Sequence, residues 1–165
     1  MTTEVYTSKP FDQINHDQYD KPAKEITIEF LKQHNFINIE ENVNENNING
    51  WWDIKAFGFK NNQLLEYRFD CEIKTFWKNI DFLENDIQIP YRKITKDASS
   101  IKPTHHIVIN KNSNGLCVIT REVVENAPTR IIKPWNRDKE EKFLYISVKD
   151  ALFYKKIDKK WEANF

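Results

Sequence analysis

Glycine is nearly absent from this 165-residue chain, and three residues are too few for the glycine-rich loop with which an NTPase cradles phosphate. Cysteine is equally sparse. Cys71 and Cys117 lack the close spacing of a zinc site, and such a pair reads as buried, reduced thiols rather than as a disulfide framework. No apolar run approaches the 18 residues of a membrane span, and the opening residues lack the charged-then-apolar pattern of a secretory leader. The expectation is a soluble, intracellular protein working in the cytoplasm. Charge of one sign is missing too: 25 Lys and Arg balance 25 Asp and Glu. Any affinity for nucleic acid then has to come from local clustering rather than from an overall basic field.

What is present suits one folded domain. Hydrophobic residues make up 39% and aromatics 13%, enough for a core and too many for a disordered chain. Residues 1–19 read as an arm and 20–165 as a single domain. Asp20 and Pro22 open a helix whose Ala23, Ile26, Phe30 and Leu31 fall at helical spacing, closed by His34 and Asn35. Strands follow at Phe36–Ile39, at Trp51–Phe59 after the Asn49-Gly50 turn, and at Leu64–Lys74 after Asn61-Asn62. Trp51 and Trp52 read as packing at the core edge. A helix is expected near Tyr91–Lys96, strands at His106–Ile109 and Leu116–Ile119, and a short helix at Arg121–Asn126. After an irregular stretch over 127–141 come a strand at Lys142–Ser147 and a final helix from Val148 to Lys156, opened by a capping-box pair, Ser147 and Asp150.

The third strand carries the chemistry. Leu65, Tyr67, Phe69, Cys71 and Ile73 form an apolar face; Glu66, Arg68, Asp70, Glu72 and Lys74 form a polar one. A two-residue loop at Asn61-Asn62 pairs positions whose numbers sum to 123, which sets Asp53 opposite Asp70 and diagonal to Glu72. Diagonal neighbours have Cβ atoms about 7 Å apart, close enough to share a cation. A three-residue loop would flip the parity and undo the site. Two carboxylates beside an ammonium are equipment for metal-dependent phosphodiester hydrolysis, and oxygen ligands suit Mg²⁺ or Mn²⁺. Asp70 is a rival on the same face, either a third ligand or a solvated bystander, with the bystander favoured. His105 and His106 open a strand with no Ser or Cys nucleophile beside them, so they read as structural, as do His16 and His34. The stretch with Arg130, Lys133, Trp135 and Arg137 mixes cations with an aromatic, as nucleic-acid contacts do, but Asp138, Glu140 and Glu141 offset it.

A helix, a three-stranded meander with Asp on its second strand and Glu-x-Lys on its third, then helix and strand: in this order the chain resembles the PD-(D/E)XK nuclease superfamily over Asp20 to Ile109. The resemblance implies an α/β fold with a restriction-endonuclease-like αβββαβ core, a mixed central sheet flanked by helices, here extended by a C-terminal strand and helix. It implies a DNA endonuclease in which Asp53, Glu72 and the Ile73 carbonyl bind Mg²⁺ and Lys74 assists the attacking water. The family's proline is absent, since Trp52 precedes Asp53. A Glu on the first helix faces the metal in some members; Glu25 is the better match and Glu29 the competitor. Gln88 and Tyr91 stand one residue too close for the branch with a Gln and Tyr on the next helix. Arg92, Lys93 and Lys96 are candidates for phosphate contacts, and a homodimer would suit cutting of both strands. The competing expectation is a non-catalytic module of the same fold that binds nucleic acid or protein.

Overall fold

Asp20 precedes the first helix without capping it. The computed structural model describes residues 19–42, 52–81, 84–94, 101–133 and 138–163. In it, helix α1 runs Lys21–Gln33 with Pro22 in its first turn and no side-chain cap from Asp20. The other end closes as the sequence predicts. Asn35 takes a φ of 66°, and its N–H donates to the Lys32 carbonyl at 3.2 Å while Phe36 N–H reaches back to Leu31 at 3.0 Å. That pair of bonds satisfies carbonyls the helix would otherwise leave open. Ala23, Thr27, Phe30 and Leu31 form the buried stripe.

In chain order there follow β1 (Ile37–Glu41), β2 (Ile54–Lys60), β3 (Gln63–Lys74), β4 (Asp86–Pro90), a 3-10 turn over Tyr91–Lys93, β5 (His105–Asn110), β6 (Gly115–Thr120), helix α2 (Arg121–Glu125), β7 (Thr129–Ile132), β8 (Glu141–Ser147), a 3-10 turn over Val148–Asp150, β9 (Leu152–Ile157) and β10 (Lys160–Ala163). The protein is mixed α/β and mostly strands. One sheet has seven strands in the order β1-β2-β3-β5-β6-β9-β10, and a smaller one runs β4-β8-β7. Within the large sheet β3 and β5 are parallel and the other neighbours antiparallel. Thr104 sets the parallel entry, donating through Oγ1 to the Arg68 carbonyl and accepting from Arg68 N–H, both at 2.9 Å.

The β2–β3 hairpin has the expected register. Ile54 pairs with Phe69 and Lys60 with Gln63, each pair summing to 123. Asn61 and Asn62 have φ of 52° and 63°. Two consecutive positive φ angles make the two-residue turn whose twist matches that of the strands it joins.

The large sheet is curled. Gln33, at the end of α1, donates from Nε2 to the Lys159 carbonyl and accepts from Trp161 N–H on edge strand β10, each at 2.8 Å. The same helix leads through Phe36 into β1, at the other edge. Laid flat, seven strands about 4.8 Å apart would span roughly 29 Å, far more than the ~10 Å breadth of a helix. Its concave face holds one core, in which α1 meets Ile54, Ala56, Phe69, Cys71, Ile107, Ile109, Leu116 and Trp161. Gly58 is required there, since a Cβ would stand 2.8 Å from the Phe36 ring.

The opposite face is covered by the small sheet and α2, not by the long helix that a sheet flanked on both sides by helices implies. Ile87, Ile89, Leu144 and Ile146 of the small sheet and Val124 of α2 pack there on Val108, Cys117 and Ile119. Three further expectations are corrected. The segment 148–156 is no helix: after one 3-10 turn it becomes β9, paired on both sides by β6 and β10. Its consecutive aromatics are needed on opposite faces, Phe153 against Trp77 and Tyr154 against Phe30, with ring centroids 5.8 and 4.9 Å apart. Only a strand divides neighbours in this way. The helix expected at Tyr91–Lys96 is a 3-10 turn as far as Lys93, and the stretch 127–141, read as irregular, contains β7. Residues 1–18 of the arm, the turn at Asn49-Gly50, and Trp51, Lys96, Trp135 and Arg137 lie outside the described residues. Cys71 and Cys117 are free and buried, as expected. No helix among the described residues is long and apolar enough to cross a membrane.

Candidate functional site

The face of β3 opposite α1 carries Asp70, Glu72 and Lys74, and Asp53, in the bend one residue before the β2–β3 ladder begins and so not paired with Asp70 as expected, brings its carboxylate near Asp70. Asp53 is tied to β3 at both ends: its N–H donates to the Phe69 carbonyl at 2.8 Å, and its Oδ2 accepts from Cys71 N–H at 2.9 Å. Lys74 Nζ lies 3.3 Å from Glu72 Oε1. Glu72 and Lys74 thus share one face, and Asp53 reaches the same strand through Cys71 N–H. Ile73 turns its side chain to the α1 core instead.

Two residues that sequence reasoning did not place here complete the cluster. Lys93 Nζ donates to both oxygens of Asp70 at 3.0 Å and stands 3.9 Å from Glu72 Oε2. His106, buried on β5 where the parallel register sets it beside Asp70, brings Nδ1 to 3.2 Å from Asp70 Oδ2. Asp70 is therefore no solvated bystander but the most heavily bonded carboxylate of the group. A polar residue inside the buried run from His106 to Asn110 was the available signal for His106.

The small sheet positions Lys93. Arg92 pairs with the buried Glu141 of β8, and Lys142 Nζ sits 4.2 Å above the Tyr91 ring. Both contacts fasten the 3-10 turn to β8 immediately before Lys93. Arg92 and Lys93, expected to reach phosphates, thus point their charges into the protein. Glu25 is exposed on α1, and Glu29 pairs with Lys156 of β9 at 2.7 Å. Arg130 lies 4.5 Å over the Tyr145 ring.

The carboxylates differ in charge state. Burial and then the Asp70 charge push Asp53 from 3.8 up to about 6. Burial works against the Asp70 charge too, but Lys93 and the His106 hydrogen bond outweigh it and hold this carboxyl well below the usual range. Glu72 is likewise lowered against its burial, by Lys74 and then Lys93. Lys93, opposed by burial, is pushed well above an ordinary lysine by Asp70, Glu72 and Asp53. The group is a half-buried cluster of negative charge with one ammonium at its centre and another at its rim.

Among the described residues no three His, Cys, Asp or Glu side chains converge as metal ligands. In chemistry the donor set still fits a hard divalent cation: carboxylate oxygens, one of them held back from ionising by burial and then by its neighbour's charge. No protein-family model, curated protein or solved structure matches the chain.

Proposed function

We propose that this protein is a metal-dependent nuclease that hydrolyses phosphodiester bonds in DNA. The carrying observation is the bond from Cys71 N–H to Asp53 Oδ2, which brings Asp53 against the strand that bears Asp70, Glu72 and Lys74. The order of elements adds partial support: α1, an antiparallel β1–β2–β3 meander, and β5 parallel to β3 follow a restriction-endonuclease-like order, with β4 and a 3-10 turn among the described residues where that core has a helix. In this reading Asp53 and Glu72, with the Ile73 carbonyl, hold Mg²⁺ or Mn²⁺. A divalent ion there acidifies water and polarises a phosphoryl oxygen. Lys74, already beside Glu72, orients the attacking water or steadies the phosphate. Burial of the cluster strengthens these interactions by excluding part of the solvent.

Cleavage of supercoiled plasmid by wild type and Lys74→Ala, with Mg²⁺, Mn²⁺ or chelator, tests the proposal. Cutting should need metal and fall at least a hundredfold in the variant, whose fold is retained; equal cutting by Lys74→Ala would remove the central claim. A second reading, a non-catalytic binding module of the same fold, is favoured by one observation. Lys93 and Lys74 already give the carboxylates ion partners at 3.0 and 3.3 Å. Absence of cutting under every condition would favour that module.

A further inference from the structure

The cation at the centre of the site comes from the small sheet, and the protein fixes it there. Arg92 and Tyr91 anchor the turn to β8, and Lys93 Nζ then spans Asp70 and Glu72 at 3.0 and 3.9 Å. An ammonium on Asp70 and Glu72 and a divalent ion on Asp53 and Glu72 share one carboxylate and cannot both be held at full strength, because at about 4 Å their repulsion in a half-buried site is large. We propose that Lys93 is the resident counter-cation of this cluster, and that a divalent ion binds only in competition with it, displacing its ammonium from Asp70 and Glu72. The inference rests on the metal-site reading above and adds to it a built-in competitor. Lysine suits the role. Its charge rides on a flexible four-carbon stem, and the side chain keeps 19% of its exposure, so the head has a route to solvent. His106 remains to hold Asp70 when the ammonium leaves. Three carboxylates would repel one another without a cation, so Lys93 keeps the metal-free site folded and at the same time weakens its hold on metal.

Two measurements test this. Calorimetric titration of Mn²⁺ into wild type, Lys93→Met, Lys93→Arg and Asp53→Asn should show roughly tenfold or tighter binding in Lys93→Met. Lys93→Arg, which keeps the charge, should stay near wild type, and Asp53→Asn should lose binding. In the wild type, reductive methylation read by mass spectrometry should modify Lys93 several-fold faster at saturating Mg²⁺ than in chelator. This arm decides the matter if Lys93→Met fails to fold. Binding that is lost in Asp53→Asn but equal in wild type and Lys93→Met overturns the competition alone, as does unchanged Lys93 labelling at saturation. No Mn²⁺ binding by wild type or Lys93→Met removes the metal site itself, and the competition with it.

Discussion

Phe69 and Asp70 are neighbours on β3 and belong to two different kinds of protein interior. Phe69 points to the α1 side, where Ile54, Ala56, Leu31 and Ile107 close around it. Asp70 points to the small-sheet side, where Lys93 and His106 hold it by three polar contacts within 3.2 Å. The first face is secured by area removed from water, which acts without direction and hardly responds to pH or ions. The second is secured by pairing of charges, which is specific in geometry and responds to both. One strand therefore separates a face that stabilises from a face that can be switched, and the chemical groups stand on the latter.

The comparison is sharpest in the unfolding free energy of adjacent substitutions. Phe69→Ala should cost about 3–5 kcal/mol, much the same at any pH or salt. Asp70→Asn should cost about 3 kcal/mol near neutral pH, because it leaves Lys93 with only the weaker attraction of Glu72 and Asp53. Asp70→Asn combined with Lys93→Met should lose less than the sum of the two singles. If urea unfolding showed Asp70→Asn to be neutral, charge pairing would not be what holds this face.

A smaller effect separates the faces by pH. Asp53 binds its proton more tightly folded, at about 6, than at its ordinary 3.8. Its contribution is complete below 3.8 and is lost as pH rises through 6, by an amount on the order of 1–2 kcal/mol for this half-buried group. Glu72, whose pKa is lowered from 4.5, gives the opposite trend, complete once pH exceeds 4.5. Between pH 4.5 and 6 wild type should therefore lose stability relative to Asp53→Asn; parallel pH profiles would show that Asp53 is not strained in this way. The smallest effect lies at the turn that sets the register. Asn62→Gly should raise stability by about 0.5 kcal/mol, since glycine takes a positive φ without strain. A rise in the denaturation midpoint without a change in slope is the expected signature.

The site was legible to the extent that local rules determine it. Asn61-Asn62 specified a two-residue turn, the turn specified the register, and the register brought the foot of β2 beside Phe69, where Asp53 leaves the ladder and bonds Phe69 and Cys71. Lys93 was not legible, because its position depends on Arg92 finding Glu141 49 residues away across the small sheet. For the same reason Asp70 read as a solvated bystander: the strands that cover its face come from residues 86–90 and 141–147. At the C-terminal end the cap signal was real but short. Ser147 Oγ does accept from Lys149 N–H, at 3.3 Å, yet the turn ends at Asp150 and sheet pairing takes over. Tertiary pairing with β6 outweighed local helix propensity there.

The bonds from Gln33 to Lys159 and Trp161 have a consequence for how the chain is made. They join residues 126 and 128 positions apart, and the Phe30 ring also meets Trp161 edge-on, with centroids 6.3 Å apart. The helix is thus completed by a strand synthesised more than a hundred residues after it. Until then its apolar stripe has no finished floor, so assembly waits for β10 and proceeds slowly, as contacts distant in sequence dictate. The interval exposes Phe30 and Leu31 to other partners, and a chain released before Trp161 is a natural substrate for chaperones.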